Sequence, residues 1–217
     1  MRKNALGRTG LQISEIALGA GVTGGILIDA DETTRAAALQ RAVGAGVNWI
    51  DTAALYGNGA SESNIGQHLA ALSPRPHVST KVRIETDQLA DIAGAIERSL
   101  EQSLKRLRLD RISLFQLHNQ LGVAAGRRPT LTQQQVLGRG GVADTFDRLK
   151  QQGLFRASGI TAVGDPQTCL DVILVVRKRF GGATTGENTL MRAKMSSVGI
   201  FVWFWGRMQS RDLPSPL

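Results

Sequence analysis

The sequence predicts an α/β chain folded as a (β/α)8 barrel, of which about five of the eight strand-helix units are recognisable. Three observations carry that prediction. Strand-type and helix-type patterns alternate five times, the connections between them are short, and polar residues able to handle protons recur at the carboxyl ends of three consecutive strands. Alternation with short loops calls for parallel strands joined by right-handed crossovers. An open nucleotide-binding sheet normally carries Gly-x-Gly-x-x-Gly between its first strand and helix, and Gly19-Ala20-Gly21-Val22-Thr23-Gly24-Gly25 is only a loose approximation to it. Barrels place their chemistry at the carboxyl ends of their strands, which favours the barrel.

Taken in order, Leu6-Gly7-Arg8-Thr9-Gly10-Leu11 reads as a turn-containing ribbon and residues 13–19 as a first strand. Asp31 or Thr33 caps a helix over 32–45, where Ala36, Ala37, Leu39, Ala42 and Val43 recur at helical spacing and Gly44 and Gly46 stop it. Residues 47–52 form the next strand, a helix over 62–72 is entered through Ser61 or Ser63, and 77–82 is again strand. A helix over 89–107 precedes a strand at 111–118. A polar loop containing Gly126, Arg127, Arg128 and Pro129 leads to a helix over 142–152, stopped by Gly153, and a strand at 155–161. Asp165-Pro166 then starts a helix through Leu170, Ile173 and Leu174 into Arg177-Lys178-Arg179.

The chain has 217 residues, 42% of them hydrophobic, enough to bury a real core. Its single cysteine, Cys169, excludes an intramolecular disulfide framework and fits a reducing, cytoplasmic setting; by itself it reads as an inert buried thiol. No secretory signal is visible in the first ten residues. The apolar runs 172–176 and 198–205 fall far short of the roughly 20 residues that cross a bilayer, so no membrane anchor is expected. The net charge of +8 is uneven: from residue 177 onward seven basic and two acidic residues give +5, leaving +3 for everything before. A nucleic-acid face in the body of the protein is therefore not expected. The three histidines are too scattered to propose a metal site, and His68 and His77 read as core histidines.

The chemistry concentrates on four residues. The only tyrosine, Tyr56, follows Asp51 by five residues in Ile50-Asp51-Thr52-Ala53-Ala54-Leu55-Tyr56-Gly57; Lys81 ends the next apolar strand in Ser79-Thr80-Lys81-Val82, and His118 ends the one after it. Each has a bland reading taken singly. Asp51 could cap a turn, Tyr56 could be an amphipathic rim residue, His118 a satisfied core histidine, and Lys81 a solvated lysine or the Schiff-base nucleophile of an aldolase.

At these residues the sequence resembles the aldo-keto reductase superfamily over about residues 4 to 176. The resemblance is carried by Leu6-Gly7-Arg8-Thr9-Gly10-Leu11, by Gly46-Val47-Asn48-Trp49-Ile50-Asp51-Thr52-Ala53 through Tyr56-Gly57, by Ser61-Glu62, and by Ser79-Thr80-Lys81. Leu104-Lys105-Arg106-Leu107 with Asp110, the histidine strand, Gly140-Gly141-Val142 through Leu149, then Gly153 and Arg156-Ala157-Ser158-Gly159-Ile160-Thr161 continue it in order. The resemblance implies a barrel that binds NADPH, less often NADH, and reduces a small aldehyde or ketone, with Asp51, Tyr56, Lys81 and His118 as the catalytic tetrad. Hydride arriving at a carbonyl carbon leaves an alkoxide that needs a proton, and an unperturbed phenol, with a pKa near about 10, gives its proton up reluctantly. An ammonium from Lys81 would stabilise the phenolate, Asp51 would hold the lysine and balance its charge, and His118 would orient the carbonyl. Asp51 and Thr161 are the cofactor contacts the resemblance implies, and Asn119, which shares the strand end of His118, is a further candidate carboxamide contact or else a loop-start residue. Where the family has a Ser-Asn pair on the nicotinamide carboxamide, Thr161 keeps the hydroxyl and Ala162 lacks the amide.

After Phe180 the alternation ends, and residues 181–217 resemble nothing in the family: a glycine-threonine run precedes Ile200-Phe201-Val202-Trp203-Phe204-Trp205, which reads as aggregation-prone or as an edge strand without a pairing signal. The expected division is thus a partial barrel over 1–180 and an atypical tail over 181–217, the tail being what a shifted reading frame would produce. A catalytically inactive fragment or pseudoenzyme and a Lys81 aldolase remain the alternative readings. The natural substrate and the oligomeric state are not specified by the sequence.

Overall fold

The computed structural model describes residues 1–7, 9–124 and 129–179, together with two short strands, Arg192–Ala193 and Trp203–Phe204. Its elements are β1 (Lys3–Ala5), β2 (Gln12–Ser14), β3 (Leu18–Gly19), α1 (Ile26–Asp29), α2 (Glu32–Gly44), β4 (Trp49–Asp51), α3 (Ala60–His68), β5 (His77–Val82) and α4 (Ile92–Leu107). Then follow β6 (Ile112–Leu117), β7 (Gln120–Leu121), β8 (Thr130–Leu131), α5 (Gln133–Leu137), α6 (Val142–Gln151), β9 (Phe155–Ile160), β10 (Val163–Gly164) and α7 (Pro166–Arg179).

The main sheet has five parallel strands in the order β3-β4-β5-β6-β9. This is simply the order of the chain, with none of the reversal that marks an open doubly wound sheet, so the strands form consecutive staves of a barrel wall. The register aligns Asp51 with Ser79, Ser79 with Leu114 and Leu114 with Ala157, and two residues higher it aligns Lys81 with Gln116 and Gln116 with Gly159. Side chains alternate along a strand, so these residues share the inner face, whereas Ile50, Val78, Thr80, Val82 and Phe115 share the outer one.

The outer face carries the main core. Ile50, Val78, Val82, Phe115 and Leu117 pack with Leu39, Ile65, Ile96, Leu100, Phe146 and Leu149 from the helices. The Phe115, Phe146 and Phe155 rings meet at 5.2 to 5.8 Å between centroids. Each fully buried phenylalanine is worth about 1.5–3 kcal/mol over an exposed one. Helix α4 supplies Ile96, Leu100, Ser103 and Leu107 at helical spacing, and its first turn is capped by Asp91, which accepts from Gly94 N at 2.9 Å. Gly66 on α3 faces α4 so closely that a Cβ there would lie 2.1 Å from Arg106 O.

A second, smaller cluster lies on the inner face at the amino ends of the strands. Leu6, Leu11 and Ile13 of the antiparallel β1-β2 hairpin pack on Trp49, Leu114 and Ala157. The hairpin thereby plugs that end of the wall and leaves the polar inner residues at the opposite, carboxyl end.

The strand expected over 13–19 is two strands in two sheets, with a bend at Glu15-Ile16 between them. Side chains redirect the backbone there: Ser14 Oγ donates to Ile16 O at 2.7 Å, and Ser14 and Asn48 exchange two bonds, N to Oδ1 at 2.7 Å and N to Oγ at 3.0 Å. The loop between β6 and α6 also holds more structure than expected. Its strands β7 and β8 form a small parallel sheet with β10 from beyond β9, in the order β10-β7-β8, and α5 begins on a capping box between Thr132 and Gln135. Helix α7 starts where expected, with Asp165 accepting from Thr168 N at 2.7 Å. Of the tail expected over 181–217, only the antiparallel pair Arg192–Ala193 with Trp203–Phe204 is described; the rest lies outside the described residues. Among the described residues, no helix is long and apolar enough to cross a membrane.

Candidate active site

The carboxyl ends of β4, β5 and β6 bring Asp51, Lys81 and His118 together, and the turn after β4 adds Tyr56. Backbone bonds continue beyond the strands and fix these ends: Thr52 N donates to Ser79 O, Ala54 N to Lys81 O, His118 N to Val82 O and Thr161 N to Leu117 O. Tyr56 opens the turn Tyr56–Gly59, in which Gly57 and Asn58 both take left-handed backbone, at φ 59° and 51°. Asparagine tolerates that region, and at Gly57 a Cβ would sit 2.7 Å from Ile28 Cγ2. A tight turn of this kind lets the phenol fold back toward the strand ends.

Lys81 is the hub. Its ammonium is 4% exposed and donates to Asp51 Oδ2 at 2.8 Å, to Thr52 O at 2.7 Å and to the Tyr56 hydroxyl oxygen at 3.5 Å. The same nitrogen lies 5.0 Å from the centre of the Tyr56 ring. Asp51 Oδ1 accepts from Ser79 Oγ at 2.6 Å, so both oxygens of this buried carboxylate are engaged. A buried ion pair of this type holds only with such additional bonds, because desolvation otherwise cancels the attraction. The His118 ring meets the Tyr56 ring edge-on, with centroids 5.9 Å apart and planes at 83°.

Burial pushes the His118 imidazole down to about 4; the Lys81 charge adds to the shift, Asp51 opposes it and Arg83 contributes in the same direction as Lys81. The ring is therefore neutral at physiological pH. Its Nδ1 is buried without a hydrogen-bond partner, as are Gln116 Oε1 and Thr161 Oγ1 at the same end of the wall. Three unpaired polar atoms converging on one end are what a site built for a polar ligand presents.

Asn119 behaves differently. Only 1% exposed, it accepts from Ile84 N at 2.9 Å and donates to Ile84 O at 2.7 Å and Pro129 O at 3.2 Å, tying the ends of two loops together. Its amide is thus committed to the main chain rather than aimed beside His118. His77 lies against Trp49 and Ser113, and His68 stays on α3, both away from the tetrad. Burial and the Asp165 charge push the Cys169 thiol up, which keeps it protonated. Among the described residues, no group of three His, Cys, Asp or Glu side chains could hold a metal ion.

The sequence profile of the Aldo/keto reductase family matches residues 15–169 of this chain. The chain belongs to the aldo/keto reductase family. Among curated aldo/keto reductase relatives, the L-galactose dehydrogenase of Arabidopsis thaliana is 30% identical over 162 residues, covering 73% of this chain and 48% of its own length. A putative aldo-keto reductase from Pseudomonas aeruginosa is 35% identical, with a TM-score of 0.57 over 73% of this chain and 58% of that one. An aldo-keto reductase from Klebsiella pneumoniae, solved in complex with NADPH, shares the fold at 24% identity and a TM-score of 0.55, over 74% of this chain and 49% of that one. The chain spans about half the length of the curated relatives it matches.

Three buried polar residues near the strand ends were given no role by the sequence reading. Ser79 and Gln116 sit at inner positions of β5 and β6, where nothing local in the sequence names their partners. Glu62, fully buried on α3, accepts from Thr80 Oγ1 at 2.5 Å and pairs with Arg106 Nε at 2.7 Å behind the sheet. The signal available was the pair of polar inner positions Ser79 and Lys81, two residues apart on β5, and Gln116 between the apolar Phe115 and Leu117 on β6, which marks a wall with a polar inner face.

Proposed function

We propose that this site serves the NAD(P)H-dependent reduction of an aldehyde or ketone, with Tyr56 as proton donor. The observation that carries the reading is the Lys81 ammonium, locked by Asp51 and Thr52 O and lying 3.5 Å from the phenol oxygen. A fixed cation there stabilises the negative charge left when the proton departs, and it does so at no cost in reorganisation. Tyr56 gives its proton to the oxygen of the carbonyl, and Lys81 holds the resulting phenolate. The neutral His118 ring, edge-on to Tyr56, orients that oxygen by hydrogen bonding without adding a second positive charge. In oxidation the same phenolate takes the proton back.

A reduced nicotinamide, when bound, supplies the hydride. The residues fit such a group: a carboxamide offers both donors and an acceptor, and Thr161 Oγ1 and Gln116 Oε1 are buried polar atoms without partners. Thr161 and Gln116 are the proposed holders, with Asp51 below them on the same inner face and Asn119 bracing the loop behind. NADPH is proposed ahead of NADH by family tendency and by the NADPH complex of the Klebsiella relative. The setting proposed is the reducing cytoplasm.

The aldolase reading requires Lys81 to present a free amine to substrate, and its protons are instead committed to Asp51 Oδ2 and Thr52 O. The inactive-fragment reading has one observation in its favour, the chain's span of about half its relatives' length. Cofactor fluorescence separates the two remaining readings: NADPH titrated into the purified chain is expected to bind, and a panel of aldehydes and ketones to be turned over. No binding at millimolar NADPH overturns the enzymatic reading for this chain.

A further inference from the structure

Below the tetrad, the inner face contains a second line of polar contacts that the proton-donating step does not itself use. Trp49 Nε1 donates to Ser79 Oγ at 3.0 Å, and Ser79 Oγ donates to Asp51 Oδ1 at 2.6 Å. Trp49, Ser79 and Asp51 are all buried, and the indole also packs against Leu6, Leu11 and Ile13 of the hairpin. The direction of this chain of bonds is fixed by chemistry. An indole can only donate, so the Ser79 oxygen must accept from it, and the single hydroxyl proton of Ser79 must go elsewhere. Of its two acceptors, Asp51 Oδ1 at 2.6 Å is far better placed than Ile50 O at 3.4 Å.

A carboxylate held at one oxygen can turn about its last torsion; held at both, it cannot. Lys81 grips Oδ2 and Ser79 grips Oδ1, so the carboxylate plane, and with it the ammonium facing Tyr56, is set from below. We propose that Ser79 is a positioning residue for the reaction, orienting Asp51 and through it the Lys81 ammonium at the Tyr56 oxygen, with Trp49 fixing the Ser79 hydroxyl. This rests on the reading of Tyr56 and Lys81 given above. Hydrogen bonds to charged acceptors are about twice as strong as neutral ones, and this one lies in a water-excluded layer.

The chain's single tyrosine makes the test direct, because ultraviolet phenolate absorbance then reports Tyr56 alone and needs neither cofactor nor substrate. Lys81→Met is expected to move the phenolate transition to higher pH. Ser79→Ala is expected to move it in the same direction by a smaller amount, whereas Ser79→Thr, which keeps the hydroxyl, restores the wild-type transition. In turnover assays Ser79→Ala is expected to lower kcat with little change in KM. A wild-type transition in Ser79→Ala, alongside a displaced one in Lys81→Met, would overturn the role of Ser79 alone. An unmoved transition in Lys81→Met would overturn the reading of the site as well. Should Ser79→Ala not fold, Trp49→Phe keeps the ring and removes the donor, and an unmoved transition there overturns the proposal.

Discussion

Two buried carboxylates, Asp51 and Glu62, stand on opposite faces of the same sheet, and each is paired with a cation. Asp51 pairs with Lys81 on the inner face; Glu62 pairs with Arg106 on the outer face, and the two systems touch neighbouring residues of β5, Lys81 and Thr80. The difference lies in what remains unsatisfied. Around Glu62 each oxygen has its partner, Thr80 on one and Arg106 on the other, so the pair ties α3 to α4 and to the sheet. Around Lys81 the ammonium has one further contact, a phenol, and the neighbouring His118, Gln116 and Thr161 keep polar atoms without partners. A closed set of bonds holds a fold together, and an open set faces a ligand.

The comparison breaks most sharply at Tyr56. Tyr56→Phe is expected to reduce turnover by about 10²–10⁴-fold while leaving the denaturation midpoint unchanged, since only a half-buried hydroxyl is lost. Equal losses of activity and stability would place Tyr56 with the structural set. Glu62→Ala should do the reverse, costing about 3 kcal/mol of stability in urea unfolding, because Thr80 loses its acceptor and Arg106 its counter-charge. A loss below about 1 kcal/mol would mean that solvent reaches the Glu62 pocket, as at a surface pair. Gly66→Ala, which presses a methyl against Arg106 O, should cost about 1–3 kcal/mol and leave cofactor affinity per folded molecule unchanged.

A further effect concerns pH. His118 is held down at about 4 in the folded chain, against about 6.5 when unfolded. Between those values the unfolded chain binds a proton that the folded chain does not, so stability should fall as the pH drops from about 6.5 toward about 4. Below that point this group should add no further loss. His118→Gln is expected to flatten that part of the profile, and an identical slope in the variant would mean that other groups carry it.

What the sequence made legible follows from the length and periodicity of its elements. Strands β5 and β6 are six residues long and end next to Lys81 and His118, so strand position marked these two residues and the family motifs gave them their expected roles. The closed set around Glu62 was invisible because it joins residues 44 positions apart, and no local period records which helix a buried carboxylate will face. Asn119 shows how long-range bonds escape a local reading. Its amide bonds the main chain of Ile84, beyond β5, and of Pro129, beside the small sheet β10-β7-β8, and strands two residues long leave no periodic trace. The split of the first predicted strand was hidden for a similar reason, since Ser14 and Asn48 redirect the chain through bonds that span 34 positions.

The alternation of Thr80 and Lys81 along β5 reaches into how the sheet assembles. Moving that strand by one residue against its neighbours would swing the lysine to the side of Ile65, Ile96 and Phe115, where no carboxylate awaits it, and would point Thr80 at the carboxylate that should meet an ammonium. Such an offset already moves the apolar set to the wrong face, and the misplaced charge makes it more costly still. The two ion pairs therefore act as a paired key for strand alignment, one that sets Lys81 on the inner face and Thr80 on the outer one.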